Sequence, residues 1–172
     1  IEPRKNLEAV IMAFDVLLKN DYKKYKKWQF IIAGAKGWKY EKVFEAIRQT
    51  KTGHVKFINY ISYKEKIALL TGADCFVFPS LWEGFGLPVL EAMGQGTPVL
   101  TSNLSSLPEV AGKAALLVDP RKVKQINAAL KKLLNSPSLR HSLRKKGLVQ
   151  ARKFSWKKCA QATFHILVQH ID

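Results

Sequence analysis

Leu7, Val10, Ile11, Phe14, Leu17 and Leu18 recur at helical spacing, with Asn6 placed to cap the start and Asn20-Asp21 to end it. That pattern predicts an amphipathic helix. Trp28 to Ala33 is a short apolar run halted by Gly34, and helical spacing follows through Val43 and Ile47. The alternation returns as His54 to Ile58 then Lys64 to Leu70, and again as Asp74 to Phe78 then Pro88 to Met93. Strand followed by helix, three times over, predicts a parallel sheet with helices on its faces. Thr97 to Thr101 and Ala114 to Val118 read as two more strands separated by a turn-rich loop. Beyond Pro120 only helical patterning remains, over 123–134, 139–151 and 156–168, broken at Asn135-Ser136-Pro137 and Phe154-Ser155. The fold class expected is therefore α/β with a helical C-terminal segment.

Composition narrows this. The 172 residues are 47% hydrophobic and 24% charged, enough apolar side chain for one domain of ordinary size. No run approaches the length of a membrane span, and the chain opens without an initiator Met or a signal-like apolar stretch. It reads as a piece of something longer. Two cysteines, Cys75 and Cys159, make no disulfide framework and point to a reducing compartment, with the cytoplasm as the expected location. The net charge of +16 is uneven: from Arg121 to Asp172 thirteen Lys and Arg face one acid. The peripheral inner face of a membrane is an expected neighbour for such a segment, against the plainer reading of a solvated helical face.

In an open parallel sheet, ligands bind beyond the carboxyl ends of the strands. After Phe78 the chain runs Pro79-Ser80-Leu81-Trp82-Glu83-Gly84-Phe85-Gly86-Leu87-Pro88 and continues to Glu91. Pro88 suits the first turn of a helix. The N–H groups of Phe85, Gly86 and Leu87 would then point from a helix N-terminus, where unpaired donors and the macrodipole favour a phosphate. A side chain at Gly84 or Gly86 would obstruct close approach of a ligand to the backbone. Glu83 and Glu91, eight residues apart, can face one crevice without lying side by side. A carboxylate would repel a diphosphate but accept hydrogen bonds from sugar or ribose hydroxyls. Spacing alone leaves open that Glu91 only complements the helix dipole and that Glu83 is a solvated loop residue.

The stretch Glu83 to Val99 resembles the Glu-x7-Glu signature of the glycosyltransferase group 1 family (GT4), in the form E-G-F-G-L-P-x-x-E-A-M-x-x-G-x-P-V. The likeness extends to Glu2 to Leu7, Ile31 to Gly34, Ala73 to Ser80, Ser105 to Gly112 and Ala114 to Pro120, essentially the whole chain. The resemblance implies a GT-B architecture of two facing Rossmann-like domains. This chain would be the donor-binding half, and the N-terminal acceptor-binding domain its partner. By the same resemblance Glu91 holds the ribose hydroxyls, while Glu83, Gly84, Phe85, Gly86 and Leu87 contact the transferred sugar and diphosphate. Lys5 offsets the leaving group's charge, and the base lies near Tyr60 and Ile61, with Gly34 also at the donor site. Lys5 also has a bland reading, a charge beside the helix that Asn6 caps. The family's domain opens with a strand, a Gly-rich turn and usually an Arg, all upstream of this chain's start. One domain over 1–172, lacking its first and central strand and its second phosphate cation, is therefore expected, with 121–172 as its helical C-terminal part.

The implied activity is retaining hexosyl transfer from a nucleoside-diphosphate sugar to a glycan or lipid-linked acceptor. No cofactor is expected, since the sugar nucleotide is a substrate, and no Asp-x-Asp metal motif occurs. The fragment alone is expected to be inactive. His54, His141, His165 and His170 form no metal pattern, Ser80 lacks a G-x-S-x-G elbow, and Trp28, Trp38 and Trp156 fall at core spacing. The rivals are a basic module for anionic surfaces or nucleic acid and a stand-alone nucleotide-sugar sensor. Against nucleic acid, 23 of the 29 cations are Lys and no aromatic stacking motif accompanies them.

Overall fold

The computed structural model describes residues 1–50 and 52–169. Of the C-terminal part expected to be helical, residues 170–172, with His170, lie outside the described residues. After a 3-10 turn at Pro3–Lys5, the chain alternates helices with short strands. These are α1 (Leu7–Asn20), α2 (Tyr22–Tyr25), β1 (Phe30–Ile32), α3 (Glu41–Gln49), β2 (Val55–Phe57), α4 (Tyr63–Gly72), β3 (Phe76–Phe78) and α5 (Leu87–Gly94). Then follow β4 (Val99–Ser102), α6 (Leu107–Ala111), β5 (Ala115–Val118), α7 (Val123–Asn135), α8 (Pro137–Ala151) and α9 (Trp156–Val168). All pairings are parallel, as the strand–helix alternation predicts: Phe30 lies opposite Val55, Phe76 opposite Val99, and Val99 opposite Ala115.

Helices cover both faces, and β4 shows why. Successive side chains on a strand point to opposite faces. Leu100 enters a core with Ile11, Phe14 and Leu18 of α1 and Ile126, Leu130 and Leu133 of α7. Val99 enters a second core with Val89, Ala92 and Met93 of α5 and Leu107, Val110 and Ala111 of α6. Both side chains are fully buried, so β4 is central and reads as a continuous apolar run. Burial also pushes the Cys75 thiol up to about 12, which keeps it neutral and unreactive at physiological pH.

The five strands form two sheets, β1-β2 and β3-β4-β5. Where the strands begin, Trp28 Nε1 donates to Asp74 Oδ2 at 3.1 Å, setting β1 beside β3. Where they end, the first residues of the chain lie across the opening: Gly37 N donates to Ile1 O at 3.1 Å and Leu81 N to Arg4 O at 2.8 Å. Phe30 and Ile32 bond towards β2, and Phe76 bonds towards β4. In a parallel ladder alternate residues bond to opposite sides, so the N–H and C=O groups of Ile31 and Val77 are turned to the other edges.

Two local readings change. Asn6 adopts a left-handed conformation (φ 57°) and makes no capping bond to α1. Its amide instead donates to Pro79 O at 3.2 Å and Pro120 O at 2.7 Å, joining the chain start to the ends of β3 and β5. The loop between β4 and β5 contains the helix α6, whose apolar positions Leu107, Val110 and Ala111 are all buried.

Candidate functional site

The parallel strands deliver their following loops to one edge. Gly34 follows β1 with φ 142°, and its N–H donates to Asn59 O at 2.7 Å. That bond ties it to the loop carrying Tyr60 and Ile61 after β2. Tyr60 is open to solvent at 78% exposure. After β3 the chain turns through Ser80 to Gly86 and enters α5.

The turn is held from behind by two serines. Ser105 Oγ accepts from Glu83 N at 3.1 Å and also donates to Glu83 O. Ser106 Oγ lies 3.0 Å from Glu83 O and 2.8 Å from Phe85 O. With its carbonyls engaged, the turn presents its N–H groups outward, and those of Gly84, Phe85 and Gly86 find no acceptor among the described residues. Gly86 stands at the N-cap of α5 with φ 109°, and a Cβ there would meet Leu107 Cδ2 at 2.7 Å. Leu107 is fully buried and has no room to yield. Gly86→Ala is therefore expected to cost roughly 1–3 kcal/mol, read from melting curves, whereas Gly84→Ala meets nothing within 4 Å and should leave stability nearly unchanged.

Glu83 is the electrostatic centre. One carboxylate oxygen lies 2.7 Å from Lys5 Nζ and the other 2.7 Å from Arg4 Nη1. The residue is only 8% exposed. Burial raises its pKa, but hydrogen bonds from Lys5 and Arg4 outweigh that and leave it below the usual carboxylate range. Hydrogen bonding to Glu83, opposed by partial burial, holds Arg4 above its ordinary value. Ser80 Oγ, fully buried, makes no well-formed hydrogen bond, though its hydroxyl adds to the lowering at Glu83. Lys5 Nζ also lies over the Phe78 ring, 4.6 Å from its centroid. Arg4 is shared with a second acid, its Nε donating to Glu2 Oε2 at 2.7 Å, so two cations and two acids balance in this corner.

Arg4, to which the sequence reading gives no role, joins Lys5 on Glu83. Glu91 lies apart from this cluster, on α5, where its Oε1 is 2.6 Å from Lys66 Nζ of α4. Because α4 starts just after Ile61, that pair links the helix following the Glu83 loop to the loop of Tyr60. Lys66 carries no motif that spacing could have singled out, and Ser105 and Ser106 lie in the stretch that resembles the family but have no role read for them there. Trp82, Phe85 and Leu87 expose apolar surface beside the crevice, and Phe85 meets Phe154 edge-on at 5.9 Å between ring centroids.

The family model for glycosyl transferases group 1 matches residues 1–150. The chain belongs to that family. It is 37% identical over 166 residues to O-antigen chain mannosyltransferase B of Escherichia coli, covering 96% of this chain and 43% of that protein. The group 1 chain thus spans less than half the length of this curated relative. Among solved structures it resembles the C-terminal domain of a glycosyl transferase group 1 family protein (LpcC) from Francisella tularensis. That likeness has a TM-score of 0.76 and 26% identity, and covers 89% of this chain and 80% of that one. Sucrose-phosphate synthase from Thermosynechococcus elongatus shares the fold with a TM-score of 0.84 at 24% identity, over 98% of this chain and 43% of that one.

Proposed function

We propose that this group 1 glycosyltransferase chain is the donor-binding half of a retaining, metal-independent enzyme. It would transfer a hexose from a nucleoside-diphosphate sugar to a glycan or lipid-linked acceptor held by an N-terminal domain. The observation that carries this reading is the pairing of Lys5 and Arg4 on Glu83 at the mouth of α5, with Glu91 eight residues further on. The N–H groups of the Gly84–Leu87 turn, with the donors of Lys5 and Arg4, which Glu83 and Glu2 hold beside it, take the diphosphate. Glu91 accepts from the ribose hydroxyls, and the base rests against Tyr60 and Ile61. The resemblance to a mannosyltransferase makes a mannose nucleotide the first donor to try.

As the glycosidic bond to phosphate breaks, positive charge spreads over the sugar ring and negative charge collects on the departing diphosphate. Lys5 and Arg4 stabilise that negative charge in a site where they are already oriented. Glu83 keeps both ammonium and guanidinium in place and lies beside the sugar. Its carboxylate is committed to two cations, which makes it a poor nucleophile, so attack from the same face with the leaving phosphate taking the acceptor proton fits best. The test is calorimetry of GDP, UDP and ADP with EDTA present. Weak binding of at least one, with no sugar transfer by the chain alone, is expected. Turnover by this polypeptide, or a strict metal requirement, would overturn the reading.

The same proposal has one domain missing a central strand, which would run between β1 and β3 and end at Ile1. The support is the pair of edges at Ile31 and Val77, with the chain start lying across their far end. Amide exchange at Ile31 and Val77 is expected to be fast in this chain and slowed when a strand-forming segment is fused before Ile1. Equal, strong protection of both amides without any added segment would count decisively against it.

A peripheral seat at the cytoplasmic face of a membrane belongs to the proposal as well, supported by thirteen cations against one acid from Arg121 onward. No described helix is long and apolar enough to cross a membrane.

A further inference from the structure

At the opposite edge of the sheet from Glu83, where β3 and β4 begin, a cavity of about 320 Å³ opens between α4 and α8. One wall is Thr71, Gly72 and Asp74, and the other carries Arg140, His141 and Arg144. Ser80 lies six positions after Asp74, roughly 15–20 Å along an extended strand, so this cavity is distinct from the candidate donor site.

Its charges differ in how far they are already spoken for. Arg140 donates to Leu133 O at 2.6 Å and Leu134 O at 3.1 Å, closing the end of α7. Asp74 accepts from Trp28 Nε1 at 3.1 Å and lies 3.6 Å from Arg140 Nη2. The single acid is thus matched by a single guanidinium. Among the described residues, His141 and Arg144 make no side-chain hydrogen bond or ion pair, although Arg144 is one helical turn from Arg140 on the same face of α8. Its stem lies against Gly96, where an added Cβ would come within 3.3 Å of Arg144 Cγ. The guanidinium is therefore anchored by its stem while its donors remain free. Pro137, the first residue of the fifteen-residue α8, also lines the cavity, so the positive end of that helix adds to the same wall.

The facing wall has the opposite character. Thr71 and Gly72 are the last residues of α4, where carbonyl groups run out of intrahelical partners. A ligand between the two walls meets donors on the α8 side and acceptors on the α4 side. An anion with hydroxyl groups satisfies both, and the volume lies at the small end of ligand cavities.

We propose that this cavity binds a small phosphate monoester of sugar-phosphate size. Arg144 and His141 hold its phosphoryl group, and its hydroxyls turn to the end of α4. The site is separate from the one proposed for the sugar nucleotide and does not depend on it.

The test follows backbone amide shifts of the 172-residue chain during titration with glucose 6-phosphate, then with inorganic phosphate, at fixed ionic strength. Saturable shifts at Thr71 to Asp74 and at His141 are expected. In Arg144→Ala with His141→Ala the affinity should fall about tenfold or more, and Arg144→Lys should retain part of it. Arg140 is left in place because it closes α7. Melting curves confirm that the variants remain folded, since both altered residues are exposed. Shifts confined to Gly84 through Leu87, shifts that rise without saturation, or undiminished affinity in the double variant would each overturn the proposal. Binding of inorganic phosphate but not glucose 6-phosphate would overturn the assignment of the ligand class.

Discussion

Glu83→Gln is expected to lower the melting temperature at neutral pH by roughly 4–8 °C, on the scale of 2–4 °C per kcal/mol for a chain of this size. The reason is the loss of charge assistance in two bonds of 2.7 Å, from Lys5 and Arg4. Such bonds contribute about 1.5–3 kcal/mol each in closed surroundings. Glutamine can still accept a neutral hydrogen bond, and Arg4 keeps about a third of its side chain in solvent and is also paired with Glu2, so the combined loss is about 2 kcal/mol. The pH dependence separates charge from shape. Glu83 has a folded pKa below the unfolded reference of 4.5. Its contribution is therefore fully present above that reference and is lost as pH falls through the lower folded value. Glutamine lacks the contribution at every pH. Melting curves of the two proteins should stand apart at pH 7 and converge on acidification below the reference value. A gap that stays constant through that window would show that packing, not ionisation, is responsible.

The strand–helix alternation was legible because it rests on two periods, of two and of 3.6 residues, that belong to local chain geometry. α7 and α9 begin and end close to where their apolar spacing predicts, β1, β2, β3 and β5 each fall inside a predicted run, and β4 overruns its predicted end at Thr101 by one residue, Ser102. α6 was hidden, since Leu107 to Ala111 is too short to show a period between Pro108 and Gly112. The role of Asn6 was hidden for another reason. An asparagine before an apolar helix carries the same local signal whether it caps that helix or reaches Pro79 and Pro120, and only the tertiary fold brings those carbonyls near. The candidate site divides along the same line. The turn from Glu83 to Leu87 is contiguous in sequence and could be read directly. The resemblance gave Lys5 and Glu83 separate roles at one site, but their ion pair, which spans 78 residues, and the meeting of Arg4 with Glu83 were not foreseen. Lys66 on Glu91 was likewise invisible, because a lysine on an amphipathic helix is ordinarily only solvated.

That last pair sets up the sharpest difference between two accounts of Glu91. If Glu91 accepts hydrogen bonds from a ribose, Glu91→Ala should weaken binding of free nucleoside diphosphate and of the sugar nucleotide alike, since both carry the ribose. A lost bond to a charged group is worth roughly 1.5–3 kcal/mol, so a tenfold to hundredfold loss is expected. Lys66 touches Glu91 at 2.6 Å and orients it. Lys66→Ala should therefore cost less affinity than Glu91→Ala, and the double variant should be no worse than Glu91→Ala alone, because the oriented group is already gone. The alternative is that Glu91 and Lys66 form only a half-exposed ion pair across α4 and α5. Such pairs contribute about 0–1 kcal/mol, so this account expects a small fall in melting temperature from either single variant and no change in affinity. Calorimetric isotherms for the three variants, beside their melting curves, decide between the accounts. Unchanged nucleotide affinity in Glu91→Ala would remove the ribose role, whatever happened to stability.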